Sequence, residues 1–177
     1  MRIIGIDPGS RATGFGVVER REGRVHHIAH GVLRPPGGAA LSDRLAHLYA
    51  ELRAVVERER PEVAVVEQVF MAANARSALV LGQARGTALA ALGADSLPVF
   101  ELAPRAIKNA VVGTGAASKV QVQRMVARLL SLDSPPPTDA ADALAAAICQ
   151  AHVGRLAGMS APGRRRRAQR WTPEVLR

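Results

Sequence analysis

Four carboxylates stand out by context. Asp7 closes the run Ile4-Gly5-Ile6-Asp7 and Glu67 closes Val65-Val66-Glu67, so each acid lies at the end of an apolar stretch with strand character. An unpaired buried carboxylate costs several kcal/mol, and such acids are therefore paired or ligate a cation. Asp139 and Asp142 lie three apart in what reads as the first turn of a helix, a spacing that projects both from one helical face. Four oxygen donors with no Cys or His in their motifs suit a hard divalent cation, Mg²⁺ or Mn²⁺. Ordinary readings stand beside this one: Asp7 before Pro8-Gly9 is a common turn residue, and Asp139 is a common N-terminal helix acid. Glu67 at the end of an apolar strand has no such simple alternative.

The surrounding charge is opposite in sign. The chain of 177 residues has 24 Lys+Arg against 15 Asp+Glu, a net charge of +9. Between Gln68 and Leu132 seven basic residues face two acidic ones, and residues 164–177 hold six Arg and one Glu. Such a balance suits a polyanion, nucleic acid above all, although an arginine-rich surface can also reflect genome composition. Only two lysines occur, Lys108 and Lys119. Lys119 sits in the first turn of its helix, where a cation opposes the macrodipole unless a phosphate joins it or it simply points to solvent.

The elements that must position these groups follow from periodicity. Arg2–Asp7, Thr13–Val18 and Arg24–Leu33 read as three strands in an antiparallel meander, with a polar turn over residues 20–23. Leu45, Leu48, Tyr49, Leu52, Val55 and Val56 recur at helical spacing. Glu62–Gln68 reads as a strand buried on both faces, Ala75–Leu92 as a helix, Leu97–Glu101 as a fifth strand and Pro104–Val111 as a short helix. Ser118 and Gln121 form a capping box before the apolar face Val122, Met125, Val126, Leu129 and Leu130. After Pro135-Pro136-Pro137, Thr138 is expected to cap a last helix reaching about Val153. The order implies one α/β domain over residues 1–157 with a mixed sheet, followed by a flexible Arg-rich tail, 158–177.

Several classes are excluded or disfavoured. The single cysteine, Cys149, cannot form an internal disulfide, and no Cys/His cluster has zinc spacing. The longest stretch free of Asp, Glu, Lys and Arg is residues 143–154, short of the roughly 20 apolar residues of a spanning helix. Asp7 falls where a signal peptide needs its apolar stretch, so a cytoplasmic location is expected. The five histidines lie away from the acid motifs and read as surface or satisfied core residues.

The strings Ile4-Gly5-Ile6-Asp7-Pro8-Gly9-Ser10-Arg11, Thr13-Gly14, Gly16, Glu67-Gln68-Val69-Phe70-Met71, Leu81-Gly82-Gln83-Ala84-Arg85-Gly86 and Asp139-Ala140-Ala141-Asp142-Ala143-Leu144 resemble the RuvC family of Holliday-junction resolvases. The resemblance runs from residue 1 to about residue 153 and covers nothing of the Arg-rich tail. It implies a ribonuclease-H-like fold of the retroviral-integrase superfamily, with a mixed five-stranded sheet flanked by helices. It further implies a homodimer that nicks four-way junction DNA in recombination and repair, working beside the RuvA–RuvB branch-migration complex. By the same resemblance the catalytic and metal-binding acids are Asp7, Glu67, Asp139 and Asp142, with two Mg²⁺ per site, Mn²⁺ as a substitute, and Asp7 bridging both. Two such ions, about 3.5 to 4 Å apart, activate a water and stabilise the departing 3′-oxygen. Some members carry His in place of Asp139. Lys108 and Lys119 match positions that contact DNA, and Phe70 matches a wedge against unstacked bases, although core packing is the plainer reading of an isolated Phe.

Arg76, Arg85 and Arg105 are weaker candidates for phosphate contacts. Gly82 and Gly86, with Ala78, Leu79, Leu89 and Ala90, make a small-to-apolar face on the Ala75–Leu92 helix that suits dimerisation, sheet packing being the alternative for the two glycines. Two other functions stay in view. One is a non-catalytic junction-binding protein, and the other is a relative of actin-like ATPases, whose first phosphate loop resembles residues 4–10.

Overall fold

A computed structural model describes residues 1–68, 74–94 and 96–156. Among the described residues five strands and five helices follow in the order β1 (Arg2–Asp7), β2 (Thr13–Arg21), β3 (Arg24–Leu33), α1 (Leu41–Glu59), β4 (Val63–Glu67), α2 (Ala75–Gly93), β5 (Val99–Leu102), α3 (Pro104–Val112), α4 (Lys119–Leu129) and α5 (Thr138–Leu156). The strands form one mixed sheet in the order β3-β2-β1-β4-β5. The meander β1-β2-β3 is antiparallel, while β4 runs parallel to β1 and β5 parallel to β4. The expected α/β class and mixed sheet are both observed.

Strand alternation divides the core into two layers. Ile4, Ile6, Phe15, Val17, Ala64 and Val66 face α1 and α2. Ile3, Val18 and Val65 face the opposite layer, built from α3, α4 and α5. Asp7 therefore shares a face with Ile3, and Glu67 shares a face with Val65. Both acids emerge on the α5 side of the sheet, at the C-terminal ends of neighbouring parallel strands.

α5 is the central helix of that layer. Its residues Ala140, Ala143, Leu144, Ala145, Ala146 and Ala147 have no exposed surface. It lies so close to β1 and β2 that the sheet must present glycines beneath it. A Cβ on Gly5 would collide with the Ala143 carbonyl, one on Gly14 with the Asp139 carbonyl, and one on Gly16 would stand 2.6 Å from Leu144 Cγ. The alternating Gly5, Gly14 and Gly16 are thus the surface on which the last helix seats, a role not read from the sequence.

Some boundaries differ from the sequence expectation. β2 extends to Arg21, and the turn tightens to Glu22-Gly23, both with positive φ. β5 begins at Val99, after Pro98, which has no N–H to give to the ladder but whose carbonyl accepts from the Ala64 N–H at 2.8 Å. Tyr49 stands on the rim of the α1 stripe, 38% exposed, while Leu48, Leu52, Val55 and Val56 fill the core. Thr138 does not cap α5. The Pro137 carbonyl accepts the first helical bond, from Ala141 N–H at 2.8 Å, so Thr138 is already inside the helix. That register leaves only Asp139 in the first turn, with Asp142 one turn further in.

The capping box of α4 is present, with Ser118 accepting from Gln121 N–H at 3.3 Å and Gln121 accepting from Ser118 N–H at 2.8 Å. Cys149 is buried and free. Among the described residues no helix is long and apolar enough to cross a membrane. The Arg-rich segment 158–177 lies outside the described residues.

Candidate active site

The loop between β1 and β2 is held by a single hydroxyl. Buried Thr13 Oγ1 donates to the Gly9 carbonyl at 2.8 Å and accepts from Gly9 N–H at 3.2 Å. This tie fixes the chain just beyond Asp7. One strand over, the Gln68 N–H donates to the Leu102 carbonyl at 2.9 Å and continues the β4–β5 ladder past Glu67. Each acid thus stands at a strand end whose backbone is fastened on the far side.

Asp7, Glu67 and Asp142 line one cleft of about 190 Å³ together with Lys108 and Lys119, over a floor of Pro104, Ile107 and Val122. Three acids from β1, β4 and α5 and both lysines of the chain therefore converge, although Asp7 and Asp142 are 135 positions apart in sequence. Asp139 does not line this cleft, but its charge reaches Asp7, Asp142 and Lys119.

The electrostatics are those of a site short of positive charge. Burial, then the negative charges of Asp142, Glu67 and Asp139, push the Asp7 carboxyl up to about 7, against a smaller opposing pull from Lys119. Burial also raises Glu67, helped by Asp142 and opposed by Lys119 and Lys108. Asp142 is raised by burial in spite of the Lys119 ammonium 3.3 Å from its Oδ2. That ammonium, itself raised chiefly by Asp142, is the local substitute for a cation. Among the described residues no three acid, imidazole or thiol groups are already gathered as a ready-made ligand cluster. With Asp142 engaged by Lys119, the carboxylates are neighbours in charge before they are neighbours in coordination.

Of the other expected residues the two lysines stay at this cleft and the arginines are dispersed. Lys119 meets its position at the start of α4 through Asp142, which offsets the unfavourable dipole. Lys108 is half-buried at the cleft wall. Arg105 is exposed on α3, with its side chain packed over Gly115. Arg85 is bound to Glu101 at 2.6 Å and is not a free cation. Arg76 lies at the start of α2, in a separate cleft with Arg11 and Arg44. Phe70 lies outside the described residues.

On α2 the buried positions are Ala84, Ala88, Ala91 and Leu92. Ala78, Gly82, Gly86 and Ala90 are exposed, Leu79 is 71% exposed, and only Leu89 of the proposed face packs into the core. A Cβ at Gly82 or Gly86 would meet nothing within 4 Å among the described residues, so sheet packing does not explain either glycine.

Residues 3–150 match the family described as crossover junction endodeoxyribonuclease RuvC. The chain belongs to the RuvC family. A curated RuvC member from Bordetella petrii is 53% identical over 165 residues, 91% of each chain. A second, from Hyphomonas neptunium, is 51% identical over 152 residues, 86% of this chain and 91% of its own. Among solved structures, Thermus thermophilus RuvC in complex with a Holliday junction substrate superposes with a TM-score of 0.82 at 32% identity, covering 88% of this chain and 96% of that one. The yeast mitochondrial Holliday junction resolvase shares the fold at 17% identity and a TM-score of 0.62. The architecture is the ribonuclease-H-like fold that the RuvC resemblance implied.

Proposed function

We propose that this chain is a structure-selective endonuclease that resolves four-way DNA junctions by paired symmetric nicks in homologous recombination and repair. The observation that carries the reading is the cleft itself: Asp7, Glu67 and Asp142 gathered with Lys108 and Lys119 on one face of the sheet. A protonated or cation-bound Asp7 is what its environment demands, and an all-oxygen donor set selects Mg²⁺, with Mn²⁺ as a substitute. Asp7, Glu67, Asp139 and Asp142 would hold two such ions, which supply charge stabilisation to the attacking and leaving oxygens.

The chain's own groups bind and orient. Lys108 and Lys119 draw a backbone phosphate to the cleft mouth, and Ile107 and Val122 wall off one side. In the hydrolysis a water oxygen joins phosphorus as the bond to the 3′-oxygen breaks, leaving a 3′-hydroxyl and a 5′-phosphate. Phe70, three residues past Glu67, is assigned to stack on unpaired bases at the crossover. The exposed α2 face is assigned to a twofold dimer, because resolving a junction needs two opposed cuts and one such cleft reaches one strand. The cytoplasm is the site of action and the RuvA–RuvB complex the assembly partner in this reading.

The non-catalytic alternative is disfavoured by the complete set of four acids, and the ATPase alternative by the RuvC family match over residues 3–150. The deciding experiment incubates the full chain with a four-way junction and, side by side, a linear duplex, with Mg²⁺, with Mn²⁺ and with chelator. Metal-dependent nicks confined to the junction are expected. Binding without nicking under every metal condition, or ATP hydrolysis without nicking, would replace this reading.

A further inference from the structure

Three arginines converge on the other side of the sheet, beside the same β1–β2 loop that follows Asp7. Arg11 comes from that loop, Arg44 from the first turn of α1 and Arg76 from the first turn of α2. Together with Ser10 and Ser77 they line a cleft of about 500 Å³ whose lining includes no acid. Arg11 and Arg44 also border an adjoining cleft of about 470 Å³ beneath the Pro35-Pro36-Gly37-Gly38 loop.

Among the described residues none of the three guanidinium groups has a carboxylate partner. The Nε of Arg44 is shut off from solvent and has no hydrogen-bond acceptor. A buried, unmatched donor is costly, and three like charges around one space repel. An anion with several oxygens relieves the repulsion, and the planar fork of arginine fits phosphate oxygens in pairs. The supports are firm. Thr13 ties down the loop that bears Arg11, and Asn74 caps α2 by accepting from Ser77 N–H at 2.9 Å.

We infer that Arg11, Arg44 and Arg76 form a second phosphate site, which takes a backbone phosphodiester of DNA at a distance from the bond being cut. A strand crossing the C-terminal end of β1 meets the lysines of the acid cleft on the α5 side and these arginines on the α1–α2 side. The inference rests on the proposed action on DNA and extends the footprint across the C-terminal end of the sheet to its α1–α2 side.

The test measures junction affinity against salt for the full chain, with divalent metal chelated so that nothing is cut. Each lost phosphate contact flattens the log–log slope by about 0.9 on duplex DNA. Arg11→Ala/Arg76→Ala is expected to flatten it by nearly twice that and to weaken binding at every salt concentration. Arg11→Ala/Arg44→Gln is expected to do the same, and the first pair leaves the half-buried Arg44 untouched should the second fold poorly. Added Mg²⁺ should still allow both variants to nick junctions once protein is saturating, since the acids are intact. A wild-type slope in a folded variant overturns the inference while leaving the endonuclease reading in place. Absence of junction binding by the wild type overturns both. If ATP at matched ionic strength displaces the junction from the wild type but not from the variants, the cleft belongs to a free nucleotide phosphate, and the DNA assignment falls.

Discussion

Lys119 Nζ lies 3.3 Å from Asp142 Oδ2, a contact between the first residue of α4 and the second turn of α5. The pair joins two elements whose meeting creates the cleft, and its ammonium partly offsets the mutual repulsion of Asp7, Glu67 and Asp142. With 70% of the Lys119 side chain exposed and 19% of Asp142, the lysine is free to turn toward a phosphate once another cation serves the acids. Removal of Lys119 by Lys119→Ala should therefore weaken junction binding and flatten its salt dependence by about 0.9. An unchanged slope in a binding titration would return this lysine to a purely internal role.

Asp7→Asn should reduce nicking by more than about a hundredfold, since even residues that only support a metal ligand are worth 10- to 100-fold. Junction binding should persist or tighten because a negative charge leaves the cleft. Gel-shift and nicking assays on the same preparation separate the two effects. Nicking at the wild-type rate would remove Asp7 from the site.

The metal-free protein should also show an inverted acid profile. The Asp7 carboxyl is pushed up to about 7 in the folded state, so the folded chain holds a proton that the unfolded chain releases near pH 4. Stability at this group is accordingly highest below pH 4 and declines as pH rises to 7, by up to about 4 kcal/mol. In chelator, Asp7→Asn should unfold at a higher temperature than wild type at pH 8 and at nearly the same temperature at pH 4. Parallel melting curves across that range would contradict the burial and repulsion assigned to Asp7.

The seat of α5 offers a test of packing. Gly5→Ala and Gly14→Ala each drive a methyl group into helix backbone, which cannot move aside as a flexible side chain can. Each should cost 3 kcal/mol or more, at or above the upper end of about 1 to 3 kcal/mol for overpacking, and lower nicking by displacing Asp139 and Asp142. Chemical denaturation checks the first effect, and a fall of less than about 1 kcal/mol would mean that α5 floats over the sheet.

Gly82→Arg should leave the fold intact, because a Cβ there meets nothing within 4 Å among the described residues. Light scattering at micromolar concentration is expected to show a dimer for wild type and a monomer for the variant, with paired incision lost. A variant that stays dimeric and cuts in pairs would place the interface elsewhere than on α2.

Local chemistry made much of this protein legible in its sequence. Alternating apolar residues, the Ser118–Gln121 box and the proline runs mark strands, caps and breaks through interactions spanning a few residues. Asp7 and Glu67 announced themselves at the ends of apolar strand runs, and Asp139 and Asp142 by a spacing that puts both on one helical face. Other features depend on residues far apart in the chain. The glycines of β1 and β2 matter only because an alanine-rich helix, more than 120 residues beyond them, lies directly above. The Lys119–Asp142 pair and the convergence of Arg11, Arg44 and Arg76 arise from contacts between separate elements, and no periodicity records them. Even the face shared by Asp7 and Glu67 required the parallel pairing of β1 with β4, since a one-residue slip in either strand would have sent its acid to the other layer.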